Sequence, residues 1–182
     1  MKGKWAKGIP PRFFTWIIKG ELAISERPGG YARNHRQVRR REEILWLKSE
    51  EFTRVVSLLP SPHNLHAYDE FEMPWLHLPF DVHDDPAACL PDVYRQLREH
   101  LVAGERLLVH GEEVNDRLMG VVAGYLRWSG MLESGPQTIA VVEKLLHRQM
   151  GPAGRELVAL APSLAGSQPP GTRPTAAEKL GG

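Results

Sequence analysis

The segment around residue 110 constrains the fold of this chain more than any other. Residues 106–110 form a short apolar run that ends in His110, and a polar loop follows. Residues 118–128 are then apolar on every side of a helix, which is typical of a buried helix. A buried strand that leads through a short loop into a buried helix indicates an α/β domain, in which ligands bind at the carboxyl ends of the strands.

The other segments continue this alternation of strands and helices. The predicted strands are residues 14–24, which form a hairpin that turns at Lys19 and Gly20, residues 52–59 and residues 75–80. The predicted helices are residues 37–50, 91–103, 137–150 and 152–161. The apolar positions of the first of these helices are Val38, Ile44, Leu45 and Leu47. This order predicts a layered α/β domain with a mostly parallel central sheet flanked by helices.

Composition indicates the domain organisation and excludes several classes of partner. A chain of 182 residues is long enough for one domain, which we expect over residues 14–165 after an N-terminal extension, residues 1–13. Residues 166–182 are rich in Pro, Gly and small polar residues, which predicts a disordered tail. The net charge of +1 provides no field that favours nucleic acid. No apolar stretch has the length of a signal peptide or a membrane span, so we expect a cytoplasmic protein without a membrane partner.

Cysteine and histidine usage limits the chemistry further. Cys89 is the single cysteine, which excludes an internal disulfide and a metal site built from several thiolates. His77 and His83 lie near the aspartates of residues 81–85, but their spacing matches no metal-ligand pattern. We therefore expect no metal ion and no cofactor.

Residues 107–126 resemble the active-site segment of the dual-specificity and protein tyrosine phosphatases. In that family a strand ends in His-Cys, an Arg follows after five further residues, then a Ser or Thr, and then a helix rich in small residues. Three more segments resemble family elements, namely the opening hairpin (residues 17–28), the strand before the middle loop (residues 52–59) and the strand before the general-acid loop (residues 76–79). The resemblance covers residues 14–161 and implies a dual-specificity-phosphatase-like fold with its site at residues 110–117.

The loop departs from the family at the position of the nucleophile. The family's mechanism needs a thiolate held over backbone amides, because a sulfur of low pKa attacks phosphorus at neutral pH. Gly111 occupies that position, Leu118 replaces the following Ser or Thr, and Val114 replaces a loop glycine. The resemblance therefore implies a degenerate member without the catalytic Cys, a pseudophosphatase for which no catalytic residue is expected.

Two positions of the loop keep the family's residues. Arg117 matches the phosphate-binding arginine, and His110 matches the histidine that braces the loop. Three loop carboxylates oppose anion binding, although side chains in such loops often point outward. Arg117 therefore either binds an anion or forms a structural salt bridge with a nearby carboxylate. The predicted ligand-binding residues are His110, Gly111, Glu112, Glu113, Val114, Asn115, Asp116 and Arg117.

The acidic segment after residue 80 matches the family's general-acid loop. Asp81 and Asp84 are vestigial candidates for the acid that protonates the leaving alcohol. Without a nucleophile a general acid has no step to serve, so a solvated acidic loop is the favoured interpretation. Cys89, a few residues later, is interpreted as a structural thiol.

These observations favour a non-catalytic, phosphatase-like binding or regulatory domain. Its expected ligand is a phosphorylated protein or a small anion, bound weakly through residues 110–117, and a protein partner is expected as well. One alternative is a hydrolase in which Glu112, Glu113 or Asp116 activates water as a general base. A weak dual-specificity phosphatase is a further alternative, against which Gly111 argues.

Overall fold

The computed structural model describes residues 8–31, 33 and 36–166. Residues 1–7 of the predicted extension and residues 167–182 of the predicted tail lie outside that part of the chain. Within the described part, no helix is both long enough and apolar enough to cross a membrane.

A five-stranded sheet runs through the described residues. Its strands are β1 (Thr15–Ile18), β2 (Leu22–Ser25), β3 (Arg54–Ser57), β4 (Trp75–His77) and β5 (Leu107–His110). The strand order is β1-β2-β5-β3-β4, in which β1 is antiparallel to β2 and the other neighbours are parallel. The prediction of a mostly parallel sheet is confirmed. β5 lies at the centre and all its residues are buried, as expected of a parallel strand with both faces covered.

Helices cover both faces of this sheet. They are α1 (Gln37–Ser49), α2 (Pro86–Val102), α3 (Asp116–Trp128), α4 (Gly135–Leu146) and α5 (Pro152–Leu160), together with the 3-10 helices Leu65–Phe71 and Ala161–Ser163. Leu107 and Val109 of β5 pack in an apolar cluster with α2, α3, α4 and α5, whereas Leu108 packs with α1 on the other face. The carboxyl end of β5 is therefore fixed from both sides.

Helix α3 is held against α5 by a close approach of the two backbones. A Cβ atom on Gly120 would lie 2.6 Å from the Cα atom of Gly154, a separation that side chains do not tolerate without a shift. Ten residues of α3 are buried, which confirms the prediction of a buried helix. The N-terminal half of α3, which follows the loop after β5, therefore packs closely on α5.

Two helix boundaries differ from the predictions by more than two residues. α2 begins at Pro86 instead of residue 91, because Oδ1 of Asp85 accepts a hydrogen bond from the Ala87 amide (3.1 Å) and proline suits a first helical turn. α4 ends at Leu146 instead of residue 150, because His147 adopts a left-handed φ of 54°.

The predicted apolar face of α1 is wrong at two of its four positions. Val38 is 73% exposed and Leu45 is 37% exposed, whereas Ile44 and Leu47 are fully buried. Val38 and Leu45 are seven residues apart, so they share one side of the helix, and that side is turned away from the sheet.

Candidate functional site

The candidate site is the loop of residues 111–115, between the buried end of β5 and the first turn of α3. The Leu58 amide donates to the carbonyl of His110 (3.0 Å), which ties the end of β5 to the chain after β3. Oδ1 of Asn115 accepts a hydrogen bond from the Leu118 amide (2.9 Å) and so caps α3. The loop therefore begins at a fixed strand and ends at a capped helix whose N-terminus carries a partial positive charge.

His110 is buried beneath this loop, with a residue exposure of 1%. Its Nδ1 lies 2.9 Å from the carbonyl oxygen of Gly111, which only accepts, so Nδ1 carries the proton. Burial lowers the pKa of His110 to about 4, and the charge of Arg27 acts in the same direction. The imidazole is therefore neutral at pH 7, and its buried Nε2 has no hydrogen-bond partner among the described residues.

Gly111 leaves room for a side chain. A Cβ atom at this position would meet only the carbonyl oxygen of Glu113, at an ordinary contact distance of 3.5 Å. The φ angle of Gly111 also lies outside the left-handed region that favours glycine. Neither the space around the residue nor its backbone conformation requires a glycine here.

The three loop carboxylates have different surroundings. Glu112 pairs with Arg27, with 3.2 Å between Oε1 and Nη1. Asp116 turns away from the loop and accepts hydrogen bonds from the amides of Gly151 (2.5 Å) and Gly154 (2.7 Å), which satisfies the N-terminus of α5. Glu113 is exposed to solvent. Two of the three acids predicted to surround an anion therefore have partners of their own.

Arg117 extends from the first turn of α3 toward the acidic segment. Its Nη2 donates to the carbonyl oxygen of Asp81 (2.6 Å), and its guanidinium lies 4.4 Å from the centre of the Phe80 ring. Its Nε is buried and has no hydrogen-bond partner within the described residues. Within the same residues Arg117 forms no salt bridge with Glu112 or Glu113.

The side chains of the predicted general-acid candidates, Asp81 and Asp84, accept hydrogen bonds from nearby backbone amides. Oδ1 of Asp81 accepts a hydrogen bond from the Val82 amide (2.5 Å), and Oδ2 of Asp84 accepts one from the Asp81 amide (2.7 Å). Such side-chain bonds are typical of turns. Nowhere in residues 8–31, 33 and 36–166 do three or more His, Cys, Asp or Glu side chains come together in a way that suits a metal ion.

Sequence analysis missed two arginines that contact the loop. Arg27 meets Glu112, and Arg148 donates through Nη1 to the carbonyl oxygen of Val114 (2.7 Å). The strand order could have predicted the contact of Arg27 with the loop, because Ser25 of β2 is the neighbour of His110 in β5. A residue two positions beyond Ser25 must therefore lie beside the start of the loop.

No protein-family model matches the chain, and no curated protein matches its sequence. Solved structures do match. The kinase-associated phosphatase with its catalytic-site cysteine substituted by serine has a TM-score of 0.70 at 18% identity, covering 87% of this chain and 98% of that chain. Tk-PTP in its active form has a TM-score of 0.63 at 21% identity, covering 82% and 96%. DUSP15 has a TM-score of 0.59 at 17% identity, covering 85% and 90%.

This chain has the dual-specificity phosphatase fold. The fold predicted from residues 107–126 is thereby confirmed. All three identities are below 25%, so the likeness shows the fold alone. In this dual-specificity phosphatase fold the loop that contains Gly111 connects the carboxyl end of β5 to the N-terminus of α3.

Proposed function

We propose that this chain is a pseudophosphatase, a domain that binds a phosphoryl group in the loop after β5 and does not hydrolyse it by cysteine chemistry. The observation that carries the proposal is Gly111, which directly follows His110 at the end of β5, where the resemblance to the family implies the nucleophilic cysteine. Glycine has no side chain that can attack phosphorus. The fitting ligand is a phosphorylated protein or a small phosphate-like anion, and a regulatory role follows if the ligand is a phosphoprotein.

The single cysteine does not replace the missing nucleophile. Cys89 lies in the first turns of α2, where burial raises the pKa of its thiol and the charges of Asp84 and Asp85 raise it further. A raised pKa keeps the thiol protonated at neutral pH, whereas nucleophilic cysteines need the thiolate.

The charges at the loop support anion binding more than the sequence indicated. Asp116 is bonded to α5 and Glu112 is paired with Arg27, so their negative charges are partly compensated. Arg117 meanwhile keeps a buried Nε without a partner among the described residues. A buried donor gains free energy when it acquires an anionic acceptor. Among the described residues Glu113 is the one loop acid without such a partner, and it is exposed to solvent, so the alternative of a hydrolase with a carboxylate base is less favoured.

The test combines hydrolysis of an aryl phosphate with calorimetric binding of inorganic phosphate. We expect the wild-type chain to bind phosphate without turnover, and Arg117→Ala to weaken binding by at least about tenfold, since a charge-assisted hydrogen bond contributes roughly 1.5–3 kcal/mol. Arg95→Ala is the matched control, because Arg95 is an exposed arginine of α2 that pairs with Asp92 and Glu99. Turnover by the wild-type chain that survives Arg117→Ala would contradict the proposal.

A second variant tests the role assigned to Gly111. In Gly111→Cys we expect a burst of one aryl-oxide per protein, in which a P–S bond forms as the P–O bond to the leaving group breaks. Further turnover should be slow, because Leu118 offers no hydroxyl to assist hydrolysis of the phosphocysteine. If Gly111→Cys folds but shows no burst, the loop does not have a phosphatase geometry.

A further inference from the structure

Arginines approach the loop after β5 from three separate parts of the chain. Arg117 comes from α3, Arg148 from the segment after α4, and Arg27 from the segment after β2. Arg27 contacts the loop twice, since its backbone amide donates to the carbonyl of Glu112 (3.2 Å) while its Nη1 lies 3.2 Å from the carboxylate of the same residue. The start of the loop is thus bonded to Arg27 through both backbone and side chain.

Arg27 is the more enclosed partner of this ion pair. Its side chain is 13% exposed, whereas that of Glu112 is 46% exposed. Its Nη2 donates to the carbonyl oxygen of His63 (3.2 Å), which fixes the guanidinium at the edge of the loop. The charge of Arg27 also contributes to the lowered pKa of His110, which places it near the loop base. Arg27 is therefore a fixed cation, and among the described residues Glu112 is the only carboxylate paired with it.

We propose that Arg27 is a second anion-binding residue of the site and that Glu112 occupies it as a built-in competitor when no ligand is bound. This inference rests on the proposed function and specifies the ligand class, a phosphoryl ligand that carries a second anionic group next to the first. One group would bind at Arg117 and the other would displace Glu112 from Arg27. An ion pair with an exposed carboxylate contributes little, so a more highly charged phosphoryl group competes with it successfully.

The experiment compares inorganic phosphate with inorganic pyrophosphate by calorimetry at pH 7.5 and low ionic strength. Wild type should bind pyrophosphate more tightly than phosphate. Glu112→Gln should tighten pyrophosphate binding about fivefold, the range of an exposed ion pair, and Arg27→Gln should remove the preference for pyrophosphate. Glu70→Gln is the matched control, since it removes the same charge from an exposed position outside the loop, and it should change the affinity by less than about twofold.

The outcomes separate this inference from the proposed function. Pyrophosphate binding that Arg117→Ala abolishes, but that neither Glu112→Gln nor Arg27→Gln alters, would overturn the role of Arg27 and leave phosphoryl binding intact. Absence of binding of both probes to wild type and to Glu112→Gln would overturn the proposed function itself. Binding that appears only in Glu112→Gln would support the competitor role directly. Glu112→Gln removes an exposed carboxylate, so the test remains valid if Arg27→Gln fails to fold.

Discussion

Helix α3 and the loop in front of it are adjacent in sequence and differ in how strongly their surroundings constrain them. Ten residues of α3 are buried, and Gly120 leaves no space for a Cβ atom against α5. In the loop, Glu112, Glu113 and Asn115 are exposed, and a Cβ atom at Gly111 has room. A fold can therefore persist through its packed helix while the chemistry of the loop changes, because the loop residues contribute little to the core.

The test with the largest expected effect substitutes alanine for one glycine in each region, Gly120 in α3 and Gly111 in the loop. In most helix interiors Gly→Ala is stabilising by about 1 kcal/mol. Gly120→Ala should instead be destabilising by roughly 2–3 kcal/mol, because its Cβ would overlap the backbone of Gly154. Gly111→Ala should change the free energy of unfolding by less than about 1 kcal/mol. Urea unfolding measures both, and a stabilising Gly120→Ala would show that α3 and α5 are not packed in this way.

A second test compares two acids near the boundary between loop and helix. Asp116→Ala removes the acceptors for the amides of Gly151 and Gly154, which should lower the free energy of unfolding by about 1–2 kcal/mol. Glu113→Ala, at an exposed position, should lie within about 0.5 kcal/mol of wild type. Amide hydrogen exchange at Gly151 and Gly154 should accelerate only in the first variant. Equal stabilities of the two variants would show that the hydrogen bonds of Asp116 to α5 do not stabilise the fold.

The third test uses pH and has the smallest expected effect. The pKa of His110 is about 4 in the folded chain and about 6.5 when unfolded, so the unfolded chain binds more protons between these values. The stability supplied by the neutral imidazole is complete above pH ~6.5 and is lost as the pH falls toward ~4. We expect a loss of about 1 kcal/mol between pH 7.5 and 5.5.

The variant His110→Gln isolates that contribution from those of the carboxylates. Its free energy of unfolding should depend less on pH over this interval than that of wild type. His83→Gln is the control, because it removes an exposed imidazole instead of a buried one, and the comparison of the two variants isolates the effect of burial. An unchanged slope in His110→Gln would show that the imidazole is not held neutral.

The parts of the fold that the sequence predicted are those with a strong local pattern. β5 is a continuous apolar run and α3 is apolar all round, so both were located, and with them the loop. The predicted start of α2 is wrong because both Pro86 and Pro91 are suited to the first helical turn. The capping side chain of Asp85 selects Pro86, and Pro91 lies inside the helix.

The contacts of the site could not be predicted from local pattern, because they join distant segments. Glu112 meets Arg27 across 85 positions, and Asp116 meets Gly151 across 35. Judged from residue types alone, these acids form one negative cluster in the loop. Only the pairing of β2 with β5 and the packing of α3 on α5 show that each has a separate partner.

The bonds between Asp116 and the start of α5 also determine when the site can form. During synthesis β5, the loop and α3 leave the ribosome before Gly151 and Gly154 do. Until then Asp116 lacks the two amides that it accepts in the finished protein. Domains of this size fold as units, so the nascent loop reaches its final geometry only after α5 has emerged and packed on α3. A truncated product that ends after α4 would contain every residue of the loop and lack the anchor that positions it.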